Sequence, residues 1–230
     1  FLRGFMKEGT VLFVSHDTSA VVNLCNKAIL LNHGQVTETG SPKEVSQHYL
    51  SALYETNQKI DGTTSPTLVK KTEKSIEYHD MREPLINASN LRNDIEIFQF
   101  KSDQKGFGTG DAKIVSVRLF EQGGAPLSWI VGGENVILEI QCIAHKKNQR
   151  PIIGFQFKDR LGQVIFADNT FLVFEFNTPQ VGEDGKIVAQ FYFRFPILPS
   201  GDYSISAAIA EGSQNNHVQH QWANDLLMLK

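Results

Sequence analysis

The sequence predicts a mainly β protein, an antiparallel β-sandwich preceded by the tail of an α/β domain. Three observations carry that expectation. From about Gly108 to the C-terminus, short runs of alternating apolar and polar residues recur, with turn signals roughly every 8–12 residues. Thirteen of the 16 Phe and both Trp lie beyond Ile95, so most of the aromatic core belongs to the C-terminal part. Before residue 56 the pattern is different, with a continuous apolar run, helical spacing and a short hairpin. The expected organisation is residues 1–55 as an incomplete α/β unit, 56–94 as a linker and 95–230 as the sandwich.

The N-terminal unit reads as follows. Thr10 to Val14 is a continuous apolar run of the kind found in buried parallel strands, with Ser15-His16-Asp17 at its carboxyl end. Asp17 or Thr18 can cap a helix through Cys25, with Ala20, Val21, Leu24 and Cys25 on one face. Lys27 to Leu31 predicts a strand, His33-Gly34 a turn, and Gln35 to Glu38 a partner strand. Ser41 as cap and Pro42 at the first position open another helix, whose buried stripe would be Val45, His48, Tyr49 and Leu53. The linker has loop composition at Asp61–Pro66 and a mixed-charge run at Lys70–Lys74. It either extends the preceding helix or lies over the next domain.

In the sandwich, Gly106, Gly108 and Gly110 form an entrance loop; no helical pattern follows them, as a phosphate loop would need. Strands are expected at Ala112–Phe120 and Asn135–Ala144. The hairpin Pro151–Thr170 supplies the next two: Ile153, Phe155 and Phe157 face the core, Gly154, Gln156 and Lys158 face away, and Asp159–Gly162 turns. Lys186–Pro196 presents Ile187, Ala189, Phe191, Phe193 and Phe195 on one face, and Leu198–Asp202 turns. Tyr203–Ala210 points Tyr203, Ile205, Ala207 and Ile209 inward, and His217–Trp222 and Asp225–Leu229 close the chain.

Composition narrows the chemistry. Hydrophobic residues are 41% and charged residues 20%, an ordinary globular balance. A net charge of -3 gives no basic field for nucleic acid. No run of about 18 apolar residues is present to span a membrane. Cys25 and Cys142 are expected to be reduced packing residues. The start, FLRGFMKEGT, has no initiator Met and no signal-peptide pattern, which points to a chain truncated at its N-terminus. Glu183-Asp184 sit between glycines as turn residues, His217 and His220 point to opposite faces of a strand, and no acid–base pattern surrounds Ser204 or Ser206. No catalytic or metal site is expected.

A saccharide site fits better. It pairs flat aromatic rings with planar polar side chains. The candidates are Gln156, Lys158, Asp168, Asn169, Tyr192, Arg194, Gln219 and Trp222, with Gln221, Asn215 and Asn216 nearby in pattern. The competing reading is the polar outer face that every sandwich has, with Trp222 in the core.

Two resemblances extend this. Thr10–Asp17 (TVLFVSHD), Leu24–Leu31, His33-Gly34 and Gly40–Val45 (GSPKEV) resemble the end of an ATP-binding-cassette (ABC) transporter nucleotide-binding domain; Asn26-Lys27 departs from the more usual Asp-Arg. The resemblance implies that His16 matches the switch histidine that contacts the ATP γ-phosphate, with ATP and Mg²⁺ as cofactors of the whole parent. The phosphate loop, signature motif and metal-binding strand are absent from this sequence, so this piece is not expected to be an enzyme by itself. Gly108–Ile114, Arg150–Thr170, Phe193–Gly212 and Asn216–Leu229 resemble the C-terminal domain of Wzt-type ATP-binding subunits of O-antigen polysaccharide exporters. That resemblance implies an immunoglobulin-like sandwich and a homodimer with the last strand exchanged. It also implies recognition of the modified non-reducing end of a lipid-linked polysaccharide. A transmembrane exporter subunit as partner and a cytoplasmic location at the inner membrane follow from the same resemblance. The alternative is a dimerisation module that binds no sugar.

Overall fold

The computed structural model describes residues 9–57, 80–90, 93–101, 106–147, 150–173, 179–213 and 216–230. Most of the linker, including Asp61–Pro66 and Lys70–Lys74, and also Asn215, lies outside the described residues.

The N-terminal elements are helix α1 (Thr18–Leu24), strands β1 (Ala28–Asn32) and β2 (Gln35–Gly40), and helix α2 (Pro42–Asn57). Asp17 is the cap of α1, accepting a hydrogen bond from the Ala20 N–H. β1 and β2 form an antiparallel hairpin. Its turn residues His33 and Gly34 both have positive φ, the I′ geometry that matches strand twist. Ser41 caps α2: its hydroxyl oxygen accepts from the Glu44 N–H at 3.3 Å, and the hydroxyl donates to the Glu44 carboxylate at 2.7 Å. Two expectations are corrected here. Residues 10–14 form no strand: no strand among the described residues pairs with them, and Leu12 is 89% exposed. His48 is not in the buried stripe of α2. It turns outward to Glu38, 2.6 Å away, while Val45 and Ser46 are buried and Tyr49 half-buried. The side chain of Leu53 lies outside the described residues.

Helix α3 (Glu83–Asn87) stands at the end of the linker. It lies on the sandwich: Glu83 pairs with Arg194 at 2.5 Å, and the bare Cα of Gly133 leaves room for the Glu83 carboxylate. Strands β3 (Ile95–Glu96) and β6 (Trp129–Ile130) pair at one end of the sandwich.

Two sheets make the sandwich. One holds β5 (Ala112–Glu121), β7 (Asn135–Ala144) and β10 (Gly185–Arg194) in the order β10-β7-β5. The other holds β4 (Gly106–Phe107), β8 (Pro151–Asp159), β9 (Val164–Asn169), β11 (Tyr203–Gly212) and β12 (His217–Leu229), in the order β4-β12-β11-β8-β9. Every pairing is antiparallel. The inward rows meet as expected. Phe155 lies edge-on to Phe191 at 4.9 Å, and Phe157 to Phe195 at 5.5 Å, so the β8 aromatics cross from one sheet to the other. Phe157 also stacks on Phe166 of β9 at 4.9 Å. Cys142 is fully buried and free, its thiol pushed up to about 12 by burial. Cys25 is also free.

Two further differences bear on the site. The last two expected strands are one 13-residue strand, β12, interrupted by a bulge at Asn224-Asp225 where Asp225 takes φ 52°. The glycine-rich segment is an edge strand and strap rather than an open loop. A Cβ at Gly106 would lie 2.1 Å from the Trp222 carbonyl oxygen, and one at Gly108 2.3 Å from that of His220, so the strap can lie against β12 only without side chains there.

Candidate functional site

The outer face of the five-stranded sheet is hollowed into a cleft of about 360 Å³. Alternation along the strands builds it. In β8, Ile153, Phe155 and Phe157 go to the core, which sends Ile152, Gly154 and Gln156 outward. In β11, Ile205, Ala207 and Ile209 go inward, which leaves Ser206, Ala208 and Ala210 on the cleft side. Of these, Gly154, Ser206, Ala208 and Ala210 are small, so the floor sinks below the rim. Gly154 is needed at its centre: a Cβ there would press to 3.1 Å from Asn169 Cβ. Ala167, Asp168 and Asn169 of β9, with Phe171 beyond it, form one wall. His217, Gln219 and Trp222 of β12 form the other.

Each wall is held from behind. Trp222 stacks on Phe107 of the strap, rings 6.1 Å apart and 14° from parallel. Its indole N–H donates to Asn224 Oδ1 at 3.2 Å. Gln219 is 2% exposed, and its amide N–H₂ donates to the Ile209 and Gln221 carbonyls, 2.9 and 2.8 Å. Those bonds satisfy backbone groups where the β11–β12 register shifts. Asn169 Oδ1 accepts from the Phe171 N–H at 3.0 Å and sets the turn after β9. Asp168 Oδ1 accepts from the adjacent Asn169 N–H, leaving Oδ2 for a ligand. The Gln156 side chain makes no hydrogen bond among the described residues, so both ends of its amide are available.

Of the eight candidates, the fold gathers five in this cleft: Gln156, Asp168, Asn169, Gln219 and Trp222. Three go elsewhere. Tyr192 stands 68% exposed on the outer face of the other sheet, its hydroxyl donating to Gln190 at 2.7 Å. Arg194 is bound to Glu83. Lys158 is 4% exposed, donates to Asn224 Oδ1 at 3.1 Å and does not line the cleft. Burial pushes its amine down to about 8, with Lys43 adding to that and the Asp225 carboxylate opposing it. Of the three residues nearby in pattern, Gln221 turns inward to accept the Ile114 N–H at 2.6 Å, and Asn216 accepts at a turn from the Ser213 N–H.

The floor was not among the sequence candidates. Its signal was the run of Ser and Ala on the outward positions of SISAAIA, where a solvated strand face would carry longer polar side chains. His16 is exposed in the bend before α1. An imidazole there can donate to one phosphate oxygen, but a triphosphate needs a cradle of backbone N–H groups and a cation besides.

The fold and the cleft define a β-sandwich module with a concave, aromatic-walled outer face, joined to an α/β segment. Residues 103–230 match the family model of the Wzt C-terminal domain, and the chain belongs to that family. Among solved structures it is similar to the C-terminal domain of Wzt, at 21% identity and a TM-score of 0.49, covering 56% of this chain and 78% of that one. Among curated proteins it is similar to the teichoic acids export ATP-binding protein TagH of Bacillus anthracis, 44% identical over 58 residues. That match covers 25% of this chain and 11% of the relative. It is also similar to the ABC transporter protein AbcA of Aeromonas salmonicida, 42% identical over 54 residues, 23% of this chain and 18% of the relative. The chain thus spans between a tenth and a fifth of these relatives' length. No helix among the described residues is long and apolar enough to cross a membrane.

Proposed function

We propose that the cleft recognises the modified non-reducing end of a lipid-linked O-antigen polysaccharide and selects it for export by an ABC transporter. The observation that carries this reading is the cleft's construction. A floor of Gly, Ser and Ala admits a ring, the Trp222 indole flanks it, and Gln156 and Asp168 offer side-chain hydrogen-bonding groups without partners among the described residues. Membership of the Wzt C-terminal domain family supports it. In this reading residues 1–55 complete an ABC ATPase, 56–94 connect, and 95–230 hold the glycan. His16 meets the ATP γ-phosphate, with Mg²⁺, only in the whole protein. The partners are a transmembrane exporter subunit and a second copy joined by exchange of β12, at the cytoplasmic side of the inner membrane. The relatives' names, an export ATP-binding protein and an ABC transporter protein, are consistent with that setting. Tethering the chain end raises its local concentration at the transporter.

The test is calorimetric titration of this chain with polysaccharide carrying or lacking its terminal modification. The modified form should bind at least about tenfold more tightly, the worth of one or two well-made hydrogen bonds. Equal affinity, or no binding, would leave a dimerisation module without sugar recognition.

A further inference from the structure

The bulge of β12 is shared by two neighbours that belong to different parts of the chain. Asn224 faces the cleft side: its Oδ1 accepts from the Trp222 indole at 3.2 Å and from Lys158 Nζ at 3.1 Å. Asp225 faces helix α2: its Oδ2 accepts from Lys43 Nζ at 2.9 Å, with both side chains mostly shielded from solvent. Its Oδ1 accepts from Ser204 at 2.7 Å, and its N–H donates to Ser206, a residue of the cleft floor, at 3.1 Å. The Lys43 stem lies over the β8–β9 turn, where a Cβ on Gly162 would come within 3.0 Å of it. Lys43 belongs to the GSPKEV motif, and the Ser41 cap on Glu44 fixes its place in the first turn of α2.

We propose that the Asn224–Asp225 bulge is the docking point of helix α2 on the sandwich and links that helix to the cleft. Lys158 is the divided element. It is buried, bonded to Asn224, and in register with Ser204, whose hydroxyl donates to Asp225. With Lys43 seated, Asp225 has its cation and Lys158 stays on Asn224, sharing the oxygen that orients Trp222. With Lys43 withdrawn, Lys158 is the cation left beside Asp225 among the described residues and turns toward it. Trp222 then holds Asn224 alone, and the indole shifts in the cleft wall. The two residues are adjacent in the chain, and Asp225 sits in a left-handed conformation that its partners must hold, so a change at one is felt at the other. The meaning of this link for export rests on the glycan reading; the link itself does not.

The experiment needs no ligand. In a Trp129→Phe background Trp222 is the sole tryptophan, and its emission and acrylamide quenching report the cleft wall. Lys43→Met should change the quenching constant by about two-fold, the low end for residues in one network, with the far-UV circular dichroism unchanged. In an Asn224→Ala background the same Lys43 substitution should have no effect. Asp225→Asn, which keeps the turn conformation, should raise hydrogen exchange in residues 42–48. A Trp222 signal indifferent to Lys43, or a response that survives Asn224→Ala, overturns the link. Unchanged exchange in Asp225→Asn overturns the docking point. These results are independent of the titration with polysaccharide, so the link and the glycan reading fail separately.

Discussion

The two outer faces of the sandwich start from the same kind of sequence and end as different surfaces. On the three-stranded sheet the outward residues are long. Tyr192 bonds Gln190, Gln190 bonds Glu139, and Gln141 bonds the other Glu139 oxygen, a ladder that fills its own surface and leaves it flat. Those amide bonds, with Lys186 and Arg118 beside them, hold the Glu139 carboxyl below its ordinary range. On the five-stranded sheet Gly154 of β8 and Ser206, Ala208 and Ala210 of β11 are the short outward residues, and the surface becomes a cleft walled by β9 and β12. Polar character alone therefore does not mark a binding face. Side-chain length on the outward positions decides whether ligand-sized space exists, and the polar groups matter where their hydrogen bonds are not already spent.

Breaking what the faces have in common should have the largest effect. Phe157 is 1% exposed and touches Phe166, Phe195 and Tyr203, so it serves both sheets. Phe157→Ala should cost about 3–5 kcal/mol, seen as a loss of the cooperative unfolding transition at its usual denaturant midpoint.

The next effect separates a buried charge from an exposed one. Lys158 carries an amine pushed down to about 8 from an ordinary 10.5. Between the folded and unfolded values the folded chain has released a proton that the unfolded chain keeps, so stability should rise with pH from about 8 to 10.5 and lose this slope below about 8. The full shift is worth about 3 kcal/mol. Lys158→Met should flatten this slope in thermal melts across that window; Lys186→Met, on the solvated face, should leave it intact.

The cleft itself comes third. Trp222→Ala should weaken polysaccharide binding by roughly 30-fold, in the range of aromatic anchors. Ala208→Phe, which fills the floor from a half-buried position, should weaken it by a similar factor while the melting temperature moves little. Retained affinity in both would place the site off this face. The smallest effect should be Tyr192→Ala on the flat face: binding within about two-fold and stability within about 0.5 kcal/mol, despite the exposed aromatic ring. A large loss there would reverse the comparison.

Much of the fold was legible because strand period and turn chemistry are local. Asn135–Ala144 was bounded to the residue, and β5, β8, β10 and β11 within two, since each is a run of alternating residues flanked by polar or turn residues. The misses share a cause. Residues 10–14 have the composition of a buried strand, but a strand needs a hydrogen-bonded partner, and no strand among the described residues pairs with them. His48 has the spacing of a buried residue, but Glu38 on the next element draws it out. The bulge at Asn224-Asp225 looked like a break between strands because its polar pair interrupts the apolar pattern.

For the site, the sequence determined which residue types were present: an indole, amides, carboxylates, and strands long enough to carry them. Alternation also determined which of them left the core. It could not determine which sheet each strand would join, since pairing partners are far apart in the chain and the period of two is the same in both sheets. Tertiary structure made that choice. It put Tyr192 and Arg194 on one sheet and Trp222, Gln156 and Asp168 on the other, and buried Lys158 beneath the second, where a cation must be matched by Asn224 and Asp225. The cleft exists because β8 and β11 are neighbours, so that Gly154 falls beside Ala208 in the run of small outward residues of β11.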